Sequence, residues 1–316
     1  MQIMQLHRYR LGSTLILPSS VVTIGNFDGL HLGHQVVLNT TIKRAKQLNL
    51  PSVLILFEPQ PLEFLLGAKT PARLTRLREK IMLLQKMAID HVIVITFNEQ
   101  MAKLRAHEFI QTVLINQLQV KHIIVGNDFR FGFQREGDFE LLESFGKKFN
   151  FLVENCEEFK IADERVSSSR IRQVLAASDL ALAEKLLGRR YSLSGRVCHG
   201  NKTGRTIGFP TANLFLHRTK SPVLGIYVVQ MRGIDDLPLN GVANIGTRPT
   251  VQGTRVLLEV FLFDFNRDIY GRHVEVDILH KLRDEEHYES LEALRVQICL
   301  DVEQAKAYFN QFNKLP

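Results

Sequence analysis

The sequence has 316 residues, of which 45% are hydrophobic and 23% are charged, so it is long enough for two globular domains that each bury a core. The formal net charge is +7, but Lys and Arg are scattered without a dense basic run. The scatter of the basic residues argues against nucleic acid as the main partner, and anionic small molecules also explain a modest positive charge. Three scattered cysteines without a Cys-x-x-Cys pair argue against a disulfide framework and a thiolate metal site.

No apolar run is long enough to cross a membrane, and the short run at residues 15–17 does not reach the length of a signal peptide. We therefore expect no membrane partner and a cytoplasmic location. The composition leaves the oligomeric state open.

The first half of the chain alternates predicted strands and helices. Apolar β-prone runs predict strands, and apolar residues at helical spacing predict helices. The predicted strands are 21–24, 53–57, 92–97 and 123–125, and the predicted helices are 37–48, 77–88 and 109–118. The alternation predicts a doubly wound α/β sheet, whose ligands bind beyond the carboxyl ends of the strands.

A glycine-rich segment, the anchor loop (residues 23–34), connects the first predicted strand to the first helix. Gly25 and Gly29 allow sharp turns and a close approach to a ligand, and a helix start favours phosphate. His31 and His34 lie one helical turn apart, so both imidazoles can face one point and stabilise charge on a phosphate. Taken alone, the pair also fits a plain strand-to-helix junction or half of a metal site.

The whole string Gly-Asn-Phe-Asp-Gly-Leu-His-Leu-Gly-His resembles the His-x-Gly-His nucleotidyltransferase signature of bacterial FAD synthetases. The resemblance implies catalytic roles for His31 and His34. It implies nucleotide binding by four further residues: Gly25, Phe27, Asp28 and Gly29. The family usually has His where this chain has Gln60, which cannot carry charge, so we assign Gln60 no catalytic role. P-loop and Gly-x-Gly-x-x-Gly motifs are absent.

Two later segments, residues 126–132 and 166–172, resemble other sequence motifs of the same family. Residues 126–132 (Gly-Asn-Asp-Phe-Arg-Phe-Gly) resemble its flavin and ATP segment. This implies ligand binding by Asp128, Phe129 and Arg130, with Asp128 as a magnesium or substrate partner, although a single Phe in such a loop also fits core packing.

Residues 166–172 precede a predicted helix over 174–187 and resemble the segment that binds the ATP phosphates. Serines at a helix start also act as caps. The resemblance implies phosphate binding by Ser168 and Ser169 and a catalytic role for Arg172.

Gly188 follows two leucines and is typical of the glycine that caps the C-terminus of a helix. After it, the helical spacing of apolar residues gives way to a strand-like pattern. Short β-branched and aromatic runs then predict strands, and a long apolar stripe predicts a closing helix. The strands are 193–197, 227–231, 257–263 and 274–279, and the helix is 291–309. The strand pattern predicts a small antiparallel barrel or sandwich. We predict functional domains at 1–187 and 188–316, and of the two forms we choose the β-barrel with a C-terminal helix for the second.

Residues 195–213 form a basic glycine-rich stretch that can wrap phosphates with backbone N–H groups. The nucleotide-binding candidates are Gly195, Gly200, Lys202, Gly204, Arg205 and Gly208. Its end, Gly-Phe-Pro-Thr-Ala-Asn, resembles a segment of riboflavin kinases. The resemblance implies that Thr211 and Asn213 hold Mg²⁺ with the nucleotide, and oxygen ligands beside phosphates suit that ion.

Residues 241–250 (Gly-Val-Ala-Asn-Ile-Gly-Thr-Arg-Pro-Thr) also resemble a segment of the same kinases, and residues 259–271 resemble their acidic strand. Glu259 then corresponds to the general base for the riboflavin hydroxyl, although an outward-facing strand acid is the alternative. Phe261 stands where the family often has His. The loop at 283–285 resembles a flavin-side loop and implies flavin contact by Arg283.

Both halves together resemble the bifunctional riboflavin kinase/FMN adenylyltransferases. The resemblance implies that riboflavin, FMN, FAD and ATP are substrates or products, with Mg²⁺ as cofactor. Two alternatives stay open: an adenylyltransferase for another nucleotide-like substrate, and a non-catalytic flavin- or nucleotide-binding protein.

Overall fold

The computed structural model describes residues 3–15, 17, 19–200, 203–250 and 253–312. The chain forms two compact units, one of residues 1–71 and 75–167 and one of residues 72–74 and 168–316. By their contacts, the helices over 168–187 belong to the second unit. The predicted functional domains at 1–187 and 188–316 concern activity, and their boundary stays a prediction.

The first unit contains a six-stranded parallel sheet in the order β1-β4-β3-β2-β5-β6. The strands are β1 (Gln5–Tyr9), β2 (Ser20–Ile24), β3 (Ser52–Glu58), β4 (His91–Thr96), β5 (Val120–Gly126) and β6 (Leu152–Cys156). Its helices are α1 (Leu32–Leu48), α2 (Pro61–Leu66), α3 (Leu77–Leu84), α4 (Glu99–Lys103), α5 (Ala106–Phe109), which continues as a π-helical segment (Ile110–Gln117), and α6 (Phe139–Phe149). A two-stranded hairpin, β7 (Lys160–Ile161) and β8 (Glu164–Arg165), follows.

The interior strands of this sheet are apolar on both faces because helices cover both. Ile55 on β3 belongs to one core cluster, with residues of α5 and the π-helical segment. Its neighbours Leu54 and Leu56 belong to another cluster, with residues of α1 and α3. Residues on alternate sides of one strand thus enter different cores, which confirms the predicted doubly wound sheet.

The second unit contains a closed barrel in the order β10-β13-β12-β11-β14-β9. Its strands are β9 (Ser192–Cys198), β10 (Ala212–Phe215), β11 (Gly225–Arg232), β12 (Leu239–Thr250), β13 (Gly253–Leu262) and β14 (His273–Arg283). Its helices are α7 (Ser168–Ala176), α8 (Leu180–Leu187), α9 (Thr203–Thr206) and α10 (Leu291–Phe312). Ala305 and Phe309 of α10 pack against the outer face of the barrel, which confirms the predicted barrel with a C-terminal helix.

The single helix predicted over 174–187 is wrong, because the structure has two helices there. Ser178 adopts a left-handed backbone conformation with φ of 62°, which ends α7. Asp179 then caps α8, since its Oδ1 accepts a hydrogen bond from the Leu182 N–H at 2.9 Å.

None of the described helices combines the length and the apolar composition needed to cross a membrane.

A histidine pair joins β1 and β4, with His7 Nε2 and His91 Nδ1 3.0 Å apart. Burial lowers the pKa of His91 below its usual value, and His7 lowers it further, against an opposing effect of Asp90. The unfolded chain therefore binds a proton at His91 more readily than the folded chain, so stability is lost as the pH falls below the unfolded pKa of about 6.5. We expect the free energy of unfolding, measured with urea, to decrease from about pH 7.5 to about pH 5.5.

His91→Asn should reduce this pH dependence, while the same substitution at exposed His107 should leave it unchanged. An unaltered slope in His91→Asn would contradict the assignment.

Candidate active sites

The imidazoles of His31 and His34 lie together at the N-terminus of α1. His31 is the N-cap residue, and its Nδ1 accepts a hydrogen bond from the His34 N–H at 3.2 Å. The two rings stack with their centroids 3.5 Å apart. A helix N-terminus carries partial positive charge and N–H groups without internal acceptors, so this arrangement can bind a phosphate.

The anchor loop has a strained backbone on both sides of Asp28. Phe27 and Leu30 adopt positive φ values of 46° and 44°, and Gly29 between them has φ of 85°. Non-glycine residues in this region cost on the order of 1–3 kcal/mol each, and such strain persists only where the surroundings hold it.

Two residues outside the loop hold it in place, and the sequence analysis missed both. Thr75 Oγ1 accepts a hydrogen bond from the Gly29 N–H at 2.8 Å, and the Thr75 N–H donates to Asp28 Oδ1 at 3.0 Å. The buried Lys80 ammonium donates to the Asn26 carbonyl. A charged residue amid the apolar positions of α3 was the available signal for Lys80.

Two Thr→Val substitutions test whether the Thr75 hydroxyl stabilises the anchor loop. One removes this hydroxyl, and the other removes a buried hydroxyl that makes no hydrogen bond to the described residues. Thr75→Val leaves the Gly29 N–H without its acceptor, and we expect a loss of about 1–3 kcal/mol in the free energy of unfolding. Thr23 Oγ1 is buried without a hydrogen-bond partner among the described residues. Thr23→Val should therefore be neutral or stabilise by up to about 1 kcal/mol.

Urea denaturation of both variants checks the pair of predictions. Equal losses in the two variants would contradict the role assigned to Thr75.

The segment after β5 places Asp128 beside an arginine. Arg165 donates to Asp128 Oδ1 at 2.8 Å, and this hydrogen bond lowers the pKa of Asp128 below its usual value. Arg130 donates to Asp138 at 2.8 Å on the surface. Phe129 stacks on Phe131, with centroids 5.4 Å apart. Asp128 is thus an anionic group that a cation or a hydroxyl can approach.

Ser168, Ser169 and Arg172 lie in α7, which belongs to the second unit. Arg172 Nε donates to the Ala72 carbonyl at 2.6 Å. The Tyr191 hydroxyl donates to the Leu74 carbonyl at 3.1 Å. These contacts fix the three residues 72–74 to the second unit.

A polar row crosses three neighbouring strands of the barrel. Glu259 on β13 is paired in register with Asn213 on β10 and with Asn244 on β12. Directly opposed residues point to the same face of a sheet, with Cβ atoms about 4.5–5.5 Å apart. The row therefore places two carboxamides on either side of one carboxylate.

This row lines a cavity, the β13 cavity, on the face of the barrel that α10 covers. Its apolar wall includes Ile207, Phe209, Ile226, Phe261, Leu294 and Ile298. Arg283 also lines it and forms a two-point ion pair with Asp301 of α10, with Nε–Oδ1 and Nη2–Oδ2 distances of 2.9 and 2.8 Å. Arg283 is a candidate from the sequence and Asp301 is not, while Asn244 lies in the segment 241–250, whose resemblance to the kinases assigns it no role.

A second cavity, the β10 cavity, shares Thr211 and Asn213 with the β13 cavity. Asn213 Nδ2 lies 3.4 Å from Thr211 Oγ1, so these two side chains lie together. A Cβ atom added at Gly200 would lie 2.5 Å from the Asn213 carboxamide, so the glycine keeps space open beside it.

The oxygen atoms of Thr211 and Asn213 in this cavity are of the type that Mg²⁺ takes as ligands. A hydroxyl and an amide oxygen are hard ligands of the kind that Mg²⁺ takes together with phosphate oxygens. Among the described residues no group of three or more His, Cys, Asp or Glu side chains could hold a metal ion. The fit is thus to an ion held jointly with a nucleotide.

The glycine-rich stretch contains the single-turn helix α9. A Cβ at Gly204 would lie 2.3 Å from the Phe209 carbonyl oxygen, and Gly208 has φ of 90°. Gly195 lies inside β9. Lys202 and the side chain of Arg205 lie outside the described residues.

Two sequence profiles match the chain in the order of the two units. The profile described as FAD synthetase matches residues 14–170, and the riboflavin kinase profile matches residues 187–309.

Relatives with assigned activities cover almost the whole chain. The bifunctional riboflavin kinase/FMN adenylyltransferase of Haemophilus influenzae is 50% identical over 97% of this chain and 100% of its own length. The protein of the same name from Escherichia coli K12 is 49% identical over 92% of each chain.

A solved structure described as a macrolide-efflux protein from Streptococcus pneumoniae is 32% identical, with a TM-score of 0.76 over 93% of this chain and 97% of that one. That description belongs to the pneumococcal protein, and what it shares with this chain is the fold. Two profiles in series and full-length relatives at about 50% identity lead to one conclusion: this chain belongs to the bifunctional riboflavin kinase/FMN adenylyltransferase family.

Proposed function

We propose that the chain phosphorylates riboflavin to FMN with ATP and adenylylates FMN to FAD with release of pyrophosphate. The observation that carries the first activity is the row Asn213–Glu259–Asn244, which lines the β13 cavity and whose Asn213 also lines the β10 cavity. The histidine pair at the N-terminus of α1 supports the second activity.

In the kinase reaction, Glu259 accepts the proton of the terminal ribityl hydroxyl as its oxygen attacks the γ-phosphorus of ATP. The new O–P bond forms, and the bond to the β-phosphate oxygen breaks and releases ADP. Thr211 and Asn213 would hold Mg²⁺, which neutralises charge on the phosphates when bound. The wall containing Phe209 and Phe261 excludes water that would compete with the hydroxyl.

In the adenylyltransferase reaction, a phosphate oxygen of FMN attacks the α-phosphorus of ATP, and the bond to pyrophosphate breaks. The attacking phosphate is already ionised, so no protein base is needed. His31, His34 and the N-terminus of α1 stabilise the charge that develops on the phosphates. On the resemblance alone, Ser168, Ser169 and Arg172 are further ATP-phosphate contacts, and Asp128, Phe129 and Arg130 are flavin-side contacts.

We also propose that the protein works in the cytoplasm and that small molecules, rather than nucleic acid or a membrane, are its partners.

Product analysis by chromatography tests the proposal. The purified protein incubated with riboflavin, ATP and Mg²⁺ should give FMN first and FAD later, and excess EDTA should stop both products. FMN alone would mean that the first unit acts on another acceptor. Bound flavin without any product would favour a binding protein and would overturn the proposal.

A further inference from the structure

Asn244 carries a carboxamide whose position none of the described contacts explains. Its Oδ1 is buried and has no hydrogen-bond partner among the described residues. A buried amide oxygen without a partner destabilises the folded chain, so native proteins usually pair such groups with protein, water or ligand.

The position of Asn244 indicates what would pair with it. The residue lines the β13 cavity directly beside Glu259. The cavity has an apolar wall that suits a flat ring, the polar row that suits a chain of hydroxyl groups, and a charged part that includes the Arg283–Asp301 ion pair. In the proposed kinase reaction Glu259 accepts the proton of the hydroxyl that is phosphorylated, so Asn244, which is opposed to it across the β12–β13 pair, lies near a neighbouring hydroxyl of the same substrate.

We propose that Asn244 is a substrate-binding residue whose carboxamide hydrogen-bonds a ribityl hydroxyl next to the one that is phosphorylated, and that this contact selects flavins with a hydroxylated chain. The carboxamide carries both a donor and an acceptor, and a hydroxyl does the same, so the two groups match whichever end of the amide faces the cavity. The inference rests on the proposed riboflavin kinase function.

The test is riboflavin binding without ATP, followed by quenching of flavin fluorescence, in Asn244→Leu and in the smaller Asn244→Ala. We expect both variants to bind riboflavin about tenfold more weakly, the loss typical of one hydrogen bond to a substrate. Lumiflavin has the same ring without the hydroxylated chain, and its affinity should be unchanged. Asn244→Leu should be at least as stable to urea as the original chain, because it removes an unpartnered polar group.

Asn240→Leu is the matched control on the same face of β12. The Asn240 side chain accepts a hydrogen bond from Gln230 Nε2 at 3.0 Å, and the residue does not line the β13 cavity. This variant should lose stability and keep riboflavin affinity, the reverse of Asn244→Leu.

Three results would overturn the inference: unchanged riboflavin affinity in both Asn244 variants, an equal loss for lumiflavin, or an equal loss in Asn240→Leu. Failure of the proposed function has a different signature. If the original chain binds riboflavin but makes no FMN, the kinase activity fails while Asn244 is still tested by binding. If the original chain binds no riboflavin, both are overturned.

Discussion

Glu259→Gln is expected to lower riboflavin phosphorylation by about 10²–10⁴-fold, the range for loss of a positioned general base. The substitution keeps the shape and the hydrogen-bonding capacity of the side chain but removes its ability to take a proton. The measurement is the rate of FMN formation from riboflavin and ATP at saturating Mg²⁺. In the same preparation, adenylylation of added FMN should be unchanged, because none of the residues proposed for adenylylation lines the β13 cavity.

Glu275→Gln supplies the matched control on β14. Glu275 accepts a hydrogen bond from the Ser192 hydroxyl at 2.7 Å, and it lines neither cavity. Glu275 is half-buried and lies 3.2 Å from Arg232, and Gln keeps the shape and the acceptor oxygen of the side chain. The substitution should leave FMN formation within about twofold, because the residue is remote from both cavities. A similar decrease in both variants would refute the role of Glu259 as the base.

Removing either imidazole of the anchor loop should lower adenylylation of FMN by about 10²–10³-fold, as does loss of one preorganised group that stabilises transition-state charge. His34→Ala removes one ring outright. His31→Asn removes the other but keeps a side-chain oxygen at the N-cap of α1, so the helix start is retained. FAD formation from added FMN and ATP measures the effect, and riboflavin phosphorylation serves as the internal reference.

Asn98→Ala is the control for a general loss of stability in the first unit. It removes a helix cap but no residue that is proposed to act in adenylylation. Asn98 Oδ1 accepts a hydrogen bond from the Met101 N–H at the start of α4, so its removal destabilises the first unit without touching the histidines. The variant should lose roughly 1 kcal/mol of stability and keep its adenylylation rate. If it loses adenylylation as His31→Asn does, the histidines act through the fold alone.

The parts of the fold that could be predicted are those where burial is uniform. Strands β2 to β5 are apolar on both faces because helices cover both, and the sequence shows this as continuous runs. The outer strands β1 and β6 have a neighbour on one side only and expose Leu6 and Leu152, so no apolar run marks them. The apolar periodicity continues through the break between α7 and α8, so periodicity alone does not show it, and the local signal for the break is Asp179, a typical N-cap residue.

Some residues of the candidate sites could be predicted from the sequence and others could not, and the difference is whether they lie in a contiguous motif. Residues within contiguous motifs, such as His31, His34 and Glu259, could be proposed from the sequence, and their roles stay predictions. Thr75 and Asp301 could not, because their proximity to the motifs depends on packing between segments distant in the chain. Lys80 and Asn244 each carried a local signal, but the contacts that they make depend on the same packing. Strand register and helix packing, which decide such proximity, have no local signal in one sequence.

One sheet is closed and the other is open, and this difference affects how the protein aggregates when it is heated. The barrel closes on itself, so its strands already pair with neighbours on both sides. The parallel sheet ends at β1 and β6, whose outer backbone groups can pair with another chain. Self-association after partial unfolding should therefore begin in the first unit. Loss of FAD synthesis on heating should accordingly be harder to reverse than loss of FMN synthesis.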